Sequence, residues 1–192
     1  MQSPSLSLIV KTLHQLIEEE LQRVGIQCRV FSRVKEYDSL REKVERKRQE
    51  NEGRPYYTKE GKKIQDIVGI RIVTYFYEDV ELLWNICAKM FTVVDTATAE
   101  ITESNFQPLR KNMVCQMPND QTQMLHEFIN SVNDNIYEII DSTFEIQFRT
   151  ILSEGWHEVD HILRYKCKDD WKNLLQESRM FNGIYATLET SD

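Results

Sequence analysis

The stretch Ile67 to Tyr77, IVGIRIVTYFY, constrains this chain more than any other. Apolar residues run through it almost without a break. That is the pattern of a central strand buried on both faces, which requires a sheet with cover on both sides. Arg71 interrupts the run. A guanidinium inside such a strand is costly unless it is paired with a carboxylate or faces a ligand cleft. The stretch therefore demands a sheet, and with it either a buried ion pair or a site.

The flanking segments supply the other layers. Leu8, Ile9, Leu13, Leu16, Ile17 and Leu21 form a helical stripe that Gly25 ends. IQCRVFSRVK alternates as a strand. Asp38 is placed to cap a helix running to Gly53, and a loop follows over EGRPYYTKEGKK. The pattern then predicts a helix from Asp79 to Met90 and strands around Phe91–Ile101 and Lys111–Met117. A helix over Gln121–Val132 precedes the strand TFEIQFRT, and helices over Ile151–Tyr165 and Trp171–Leu188 close the chain. This mixture predicts an α+β fold, a mixed β-sheet flanked by helices with helical N- and C-terminal extensions. Residues 1–192 read as one domain: an N-terminal helix over 1–25, a core over 26–166 and a C-terminal helix over 167–192.

Charge narrows the partners. The chain of 192 residues has a formal net charge of −7, which disfavours nonspecific binding to nucleic acid. Yet Arg33 to Lys63 holds eleven Lys and Arg against seven Asp and Glu. A basic segment in an acidic chain points to a local anionic ligand such as a nucleotide. No apolar run reaches membrane-spanning length, and the N-terminus does not read as a signal peptide. Cys28, Cys87, Cys115 and Cys167 are widely spaced and form no C-x-x-C, so reduced thiols in the cytoplasm are expected.

One motif offers a different chemistry. His157-Glu158-Val159-Asp160-His161 spells H-E-x-x-H, the helical signature of zinc hydrolases. Asp160 puts a charge in a spacer position that is normally uncharged there. Leu152, Trp156, Val159 and Leu163 form the apolar stripe of this helix, and the histidines lie away from it. A catalytic zinc needs a third ligand, and nothing distinguishes the conceivable Glu177. A plain polar helix face accounts for the motif better than zinc does.

Three segments carry more chemistry together. Arg33 and Lys35 are two apart at a strand end and point the same way, while Ser39, Lys43 and Arg46 fall on one face of the next helix. Five donors converging there suit a triphosphate. Asp66 sits at the edge of the Arg71 strand. In TFEIQFRT, Phe144, Ile146 and Phe148 alternate with a polar row of Glu145, Gln147 and Arg149. Asp66 and Glu145 are then carboxylates on two strands of one sheet, hard ligands of the kind that hold Mg²⁺ beside substrate phosphates. Basic residues with a pair of acids read as phosphoryl or pyrophosphoryl transfer. The chain has no G-x-x-x-x-G-K-[ST] loop.

In order and spacing, RVK…S…K..R, IQDIVGIRIV and EIQFRT…W…DH…YK resemble the synthetase domain of RelA/SpoT homologues, the (p)ppGpp alarmone synthetases. The match covers roughly Arg33 to Lys166. The resemblance implies a nucleotidyltransferase-like fold that moves pyrophosphate from ATP to the 3′-hydroxyl of GDP or GTP. It implies that Arg33 and Arg71 sandwich the adenine, and that Lys35, Ser39, Lys43 and Arg46 bind the phosphates. It implies Asp66 as a Mg²⁺ ligand and Glu145 as the second carboxylate, beside the attacking hydroxyl. Gln147, Asn112 and His161 are the residues it places toward the acceptor. The family's long members also carry a hydrolase domain, for which the residues before Arg33 leave no room, so a small synthetase-only protein is expected.

One departure concerns the acceptor. The family carries a segment like GYRSLH whose tyrosine stacks on guanine. Here FQPLRKNMVCQMP puts Pro108 at the tyrosine, Arg110 at the serine and Asn112 at the histidine. Proline offers neither ring stacking nor a hydroxyl. The expected acceptor is therefore a guanine nucleotide or an altered one, such as an adenine nucleotide or the 3′ end of a tRNA. A homo-oligomer is compatible with this reading. The alternative class is a non-catalytic nucleotide-binding or regulatory module of the same fold.

Overall fold

A computed structural model describes residues 3–98, 111–132, 134–160, 162, 163, 167 and 170–191. Five strands form one mixed sheet in the order β1-β2-β5-β4-β3. They are β1 (Cys28–Val34), β2 (Val68–Thr74), β3 (Val93–Thr98), β4 (Lys111–Gln116) and β5 (Thr143–Thr150). β2 and β5 pair in parallel, and the other three pairings are antiparallel. The helices are α1 (Pro4–Val24), α2 (Tyr37–Glu50), α3 (Tyr77–Met90), α4 (Asn119–Ser131), α5 (Ile151–Asp160) and α6 (Leu175–Ser191).

Alternation along the strands divides the sheet into two unlike faces. Val30, Ile70, Ile72, Met113, Cys115, Phe144, Ile146 and Phe148 point to one side. There they meet α1, α3 and α4, and most are fully buried. α1 contributes Leu6, Ile9, Val10, Leu13, Ile17 and Leu21 to this core and ends on Gly25 in the left-handed conformation, at φ 77°. Leu8 and Leu16 are exposed instead, so the expected stripe is rotated. The other face is different. In register across it run Phe31, Arg71, Gln147 and Asn112, and beside them Arg33, Gly69 and Glu145. β2 is thus central between β1 and β5 and its Ile70/Ile72 side is closed, while on the other side Val73 is buried but Gly69 and Arg71 are partly exposed. The expectation of burial on both faces fails because the second face carries a cleft.

Several boundaries also shift. Glu36, not Asp38, is the cap of α2, and Asp38 lies within its first turn. α3 begins at Tyr77, two residues before Asp79, because β2 already ends at Thr74. α6 begins at Leu175, after a short 3₁₀ turn over Asp170–Asn173. On α5, Trp156 is buried against Phe181 and Tyr185 of α6, at centroid distances of 4.2 and 5.3 Å. Val159 and Leu163 are exposed, so the four-residue stripe reduces to an aromatic contact at Trp156. No helix among the described residues is long and apolar enough to cross a membrane.

Candidate active site

The open face of the sheet and the start of α2 build the site. At its basic end, β1 leads through Lys35 and Glu36 directly into α2. Arg33, Lys35, Ser39, Lys43 and Arg46 line one cavity of about 580 Å³. Lys35 and Lys43 both converge on Asp66, Lys43 at 2.8 Å. The backbone on either side of Asp66 is fixed. The Lys35 amide donates to the Ile67 carbonyl at 2.8 Å, and Ile64 exchanges two amide–carbonyl bonds with residues 139 and 141. Ile64 and Ile67 are buried. Asp66 is therefore a charged side chain held at a rigid strand entrance by its apolar neighbours.

Electrostatics follow from this geometry. Burial works to raise the Asp66 carboxyl, but the Lys43 charge and the Lys35 hydrogen bond outweigh it and hold the group below the usual carboxylate range. Burial also pulls the Lys35 ammonium below its ordinary value, against the opposing effect of Asp66. The Asp66 carboxyl is therefore ionised at neutral pH. The second Asp66 oxygen, Oδ1, is buried with no hydrogen-bond partner. An anionic oxygen in that condition is suited to a cation or a donor brought by a ligand.

A second cavity, of about 320 Å³, adjoins the first at Arg33. Phe31, Gly69, Arg71, Gln147, Glu154 and Glu158 line it as well. Here Arg71 has partners. Its Nη1 bonds Glu154 and approaches Glu158 at 3.6 Å, and its Nε donates to Gln147 at 3.1 Å. The ion pair required of a strand arginine is present, and it borders a cleft. Gln147 in turn donates to Glu145 Oε2 at 2.7 Å, and Asn112 donates to Glu145 Oε1 at 2.9 Å. One network thus runs from α5 through β2 and β5 to β4.

The structure brings Arg33, Lys35, Ser39, Lys43, Arg46, Asp66, Arg71, Glu145, Gln147 and Asn112 onto this one face. Arg149 departs from the predicted polar row. Its side chain is buried, and Nη1 donates to the Phe148 carbonyl at 2.6 Å. Pro108, Arg110, His161, Tyr165 and Lys166 lie outside the described residues. Glu154 is not among the site residues expected from the sequence, and Glu158 enters there only through the H-E-x-x-H motif. The signal for both was their i, i+4 spacing on the helix that follows the strand beside Arg71. Among the described residues, no three His, Cys, Asp or Glu side chains gather as a metal set.

Asp66 and Glu145 differ as cation ligands. Asp66 fits, since it is ionised and carries an unpartnered buried oxygen. Glu145 already accepts one amide hydrogen on each oxygen, but each keeps a second lone pair.

Residues 32–170 match the family model of a region found in RelA/SpoT proteins. No curated protein matches the chain by sequence. Solved structures with a similar fold include small alarmone synthetase 1 from Bacillus subtilis bound to its product pppGpp. It aligns with a TM-score of 0.66 at 23% identity, over 98% of this chain and 90% of that one. The same synthetase bound to AMPCPP aligns at 0.62 and 22%, over 97% and 89%. A GTP pyrophosphokinase family protein from Streptococcus pneumoniae aligns at 0.69 and 20%, over 98% and 87%.

Proposed function

Because the chain belongs to the RelA/SpoT family, we propose that it is a Mg²⁺-dependent pyrophosphokinase. It transfers the β,γ-pyrophosphate of ATP to the 3′-hydroxyl of an acceptor nucleotide in the cytoplasm. The observation that carries this reading is the pair of cavities joined at Arg33, one rich in basic residues and sized for a triphosphate, the other lined by Phe31 and Arg71 and sized for a base. The acceptor is a guanine nucleotide or an altered one, since the stretch containing Pro108 departs from the family's stacking segment.

In this reading Arg33 and Arg71 hold the adenine between guanidinium faces. Lys35, Ser39, Lys43 and Arg46 bind the phosphates. These cationic side chains neutralise the charge that develops on the transferring group. Asp66 and Glu145 would hold Mg²⁺, which would add charge neutralisation for the phosphates. Glu145, kept in place by Asn112 and Gln147, orients the acceptor hydroxyl and takes its proton. The 3′-oxygen attacks the β-phosphorus in line, the bond from that phosphorus to the α,β-bridging oxygen breaks, and AMP departs with the bonding electron pair.

Labelled ATP with Mg²⁺ and a panel of GDP, GTP, ADP, ATP and tRNA tests the reading. The expected result is AMP together with one pyrophosphorylated acceptor. AMP release without such a product, under every acceptor, overturns it. One observation favours a second reading, a nucleotide-binding module without turnover: both Glu145 oxygens are already engaged by amides. That reading expects ATP binding by calorimetry and no transfer to any acceptor.

A further inference from the structure

Phe31 is half exposed on the edge strand β1, at 50% of its full accessible surface. Single exposed apolar residues are common and usually mean nothing. Phe31 differs because its ring lines a concave cavity together with Arg33, Gly69, Arg71 and Gln147. It stands directly across the strand pair from Arg71. Among the described residues β1 is an edge strand of the sheet, so Phe31 lines the cavity from that edge. The floor beside it is bare backbone at Gly69. A Cβ added there would meet only the Arg33 side chain, at 3.8 Å. Protein packing thus leaves this space unfilled, with an aromatic ring and two guanidinium groups around it.

We infer that Phe31 is the apolar wall of the base subsite and sets its preference for a purine nucleotide. The inference rests on the reading of the two cavities as base and triphosphate sites. The physical argument is one of complementary forces. Arg33 and Arg71 offer flat cations, which attract the π-face of any base electrostatically. They discriminate little between bases of different area. A half-exposed phenyl ring gains dispersion contact and loses water in proportion to the base surface laid against it. A two-ring purine covers more of it than a one-ring pyrimidine. The basic cavity, lined by Lys35, Ser39, Lys43 and Arg46, lies beyond Arg33 and does not include Phe31. Base and phosphate binding are therefore separable by mutation.

The test is calorimetry on the full chain with three probes: ATP, CTP and inorganic tripolyphosphate. Tripolyphosphate reports the basic cavity alone and shows that each variant is folded. Phe31→Ala is expected to weaken ATP by about 10-fold, within the range of roughly 5- to 150-fold that removal of one aromatic partner costs a stacked base. Its tripolyphosphate affinity stays at the wild-type value, and its ATP-over-CTP preference shrinks. Phe31→Trp, with a larger ring, restores both affinity and preference. Phe31→Ala binding ATP as tightly as wild type, with the preference intact, overturns the assignment of Phe31 and leaves the pyrophosphokinase reading standing. Wild-type protein that binds neither ATP nor tripolyphosphate overturns that reading, and the inference with it.

Discussion

At Asp66 a single side chain joins stability to the proposed chemistry. Its carboxyl is held below the usual range by Lys43 and Lys35 against the opposing effect of burial, and its side chain is only 23% exposed. A depressed folded-state value means the stabilisation is fully present above the unfolded value near 4 and is lost as pH falls through the folded value. Asp66→Asn leaves two lysines without their counter-charge. It should cost about 2 kcal/mol near pH 7, below the figure for a fully buried pair because water still reaches the group. Urea unfolding between pH 7 and pH 2 should show the gap between wild type and variant closing as the wild-type carboxyl takes up its proton. A gap that stays constant to pH 2 would place Asp66 outside the lysine pair. Glu145→Gln separates binding from chemistry at the neighbouring strand. It keeps the shape and the Gln147 side of the network but removes the proposed proton acceptor. Transfer should fall by at least ~10²-fold while ATP affinity, measured by calorimetry without Mg²⁺, changes little. Loss of ATP binding in that variant would instead make Glu145 a ligand of the donor nucleotide.

Elements differ in how far their sequence betrays them. α1 and β5 are legible from periodicity alone, since each has one buried face and one polar face. Even so, Leu8 and Leu16 turn out exposed while Leu6 and Val10 are buried, because a long helix can meet a twisted sheet at several rotations. β2 misled for a better reason. Its apolar run suggested cover on both faces, and only the pairing of Phe31, Arg71 and Gln147 across three strands shows that one face is a cleft. Lys35 and Lys43 were foreseeable from their spacing on a strand end and a helix face, and Asp66 from its place at the edge of the Arg71 strand. The Glu154–Arg71 pair was not, because it closes over 83 residues and depends on β2 and β5 lying parallel. α5 gives the element-scale prediction. Its one buried aromatic, Trp156, anchors α6, and the same helix presents Glu154 and Glu158 to the cleft. Trp156→Ala should cost about 3 kcal/mol. Limited proteolysis should then cut within α6 well before the sheet. Simultaneous loss of the whole chain to protease would mean that α6 and the sheet unfold as one unit.

For the whole molecule, the sheet with α1, α3 and α4 forms one closed core, and the four cysteines sample its depth. Cys87 and Cys115 are fully buried, and burial pushes both thiols up to about 12. Burial also raises Cys28, which is only partly covered. Cys167 is exposed. The thiolate is the reacting species, so at pH 8 only about one in 10⁴ of the deepest thiols is reactive even where a reagent can reach it. An aromatic disulfide reagent should therefore titrate Cys167 first and Cys28 more slowly. Cys87 and Cys115 should react only at the rate at which the core opens. If ATP binds the folded chain alone, as proposed, then at about 100 times its dissociation constant it adds roughly 2.7 kcal/mol. When closing outpaces the reagent, the last two thiols then slow by about 100-fold while the Cys167 phase is untouched. Slowing of all phases together would indicate that ATP covers the cysteines themselves. Slowing of none, with ATP bound, would mean that Cys87 and Cys115 react through local openings that leave the nucleotide cleft intact.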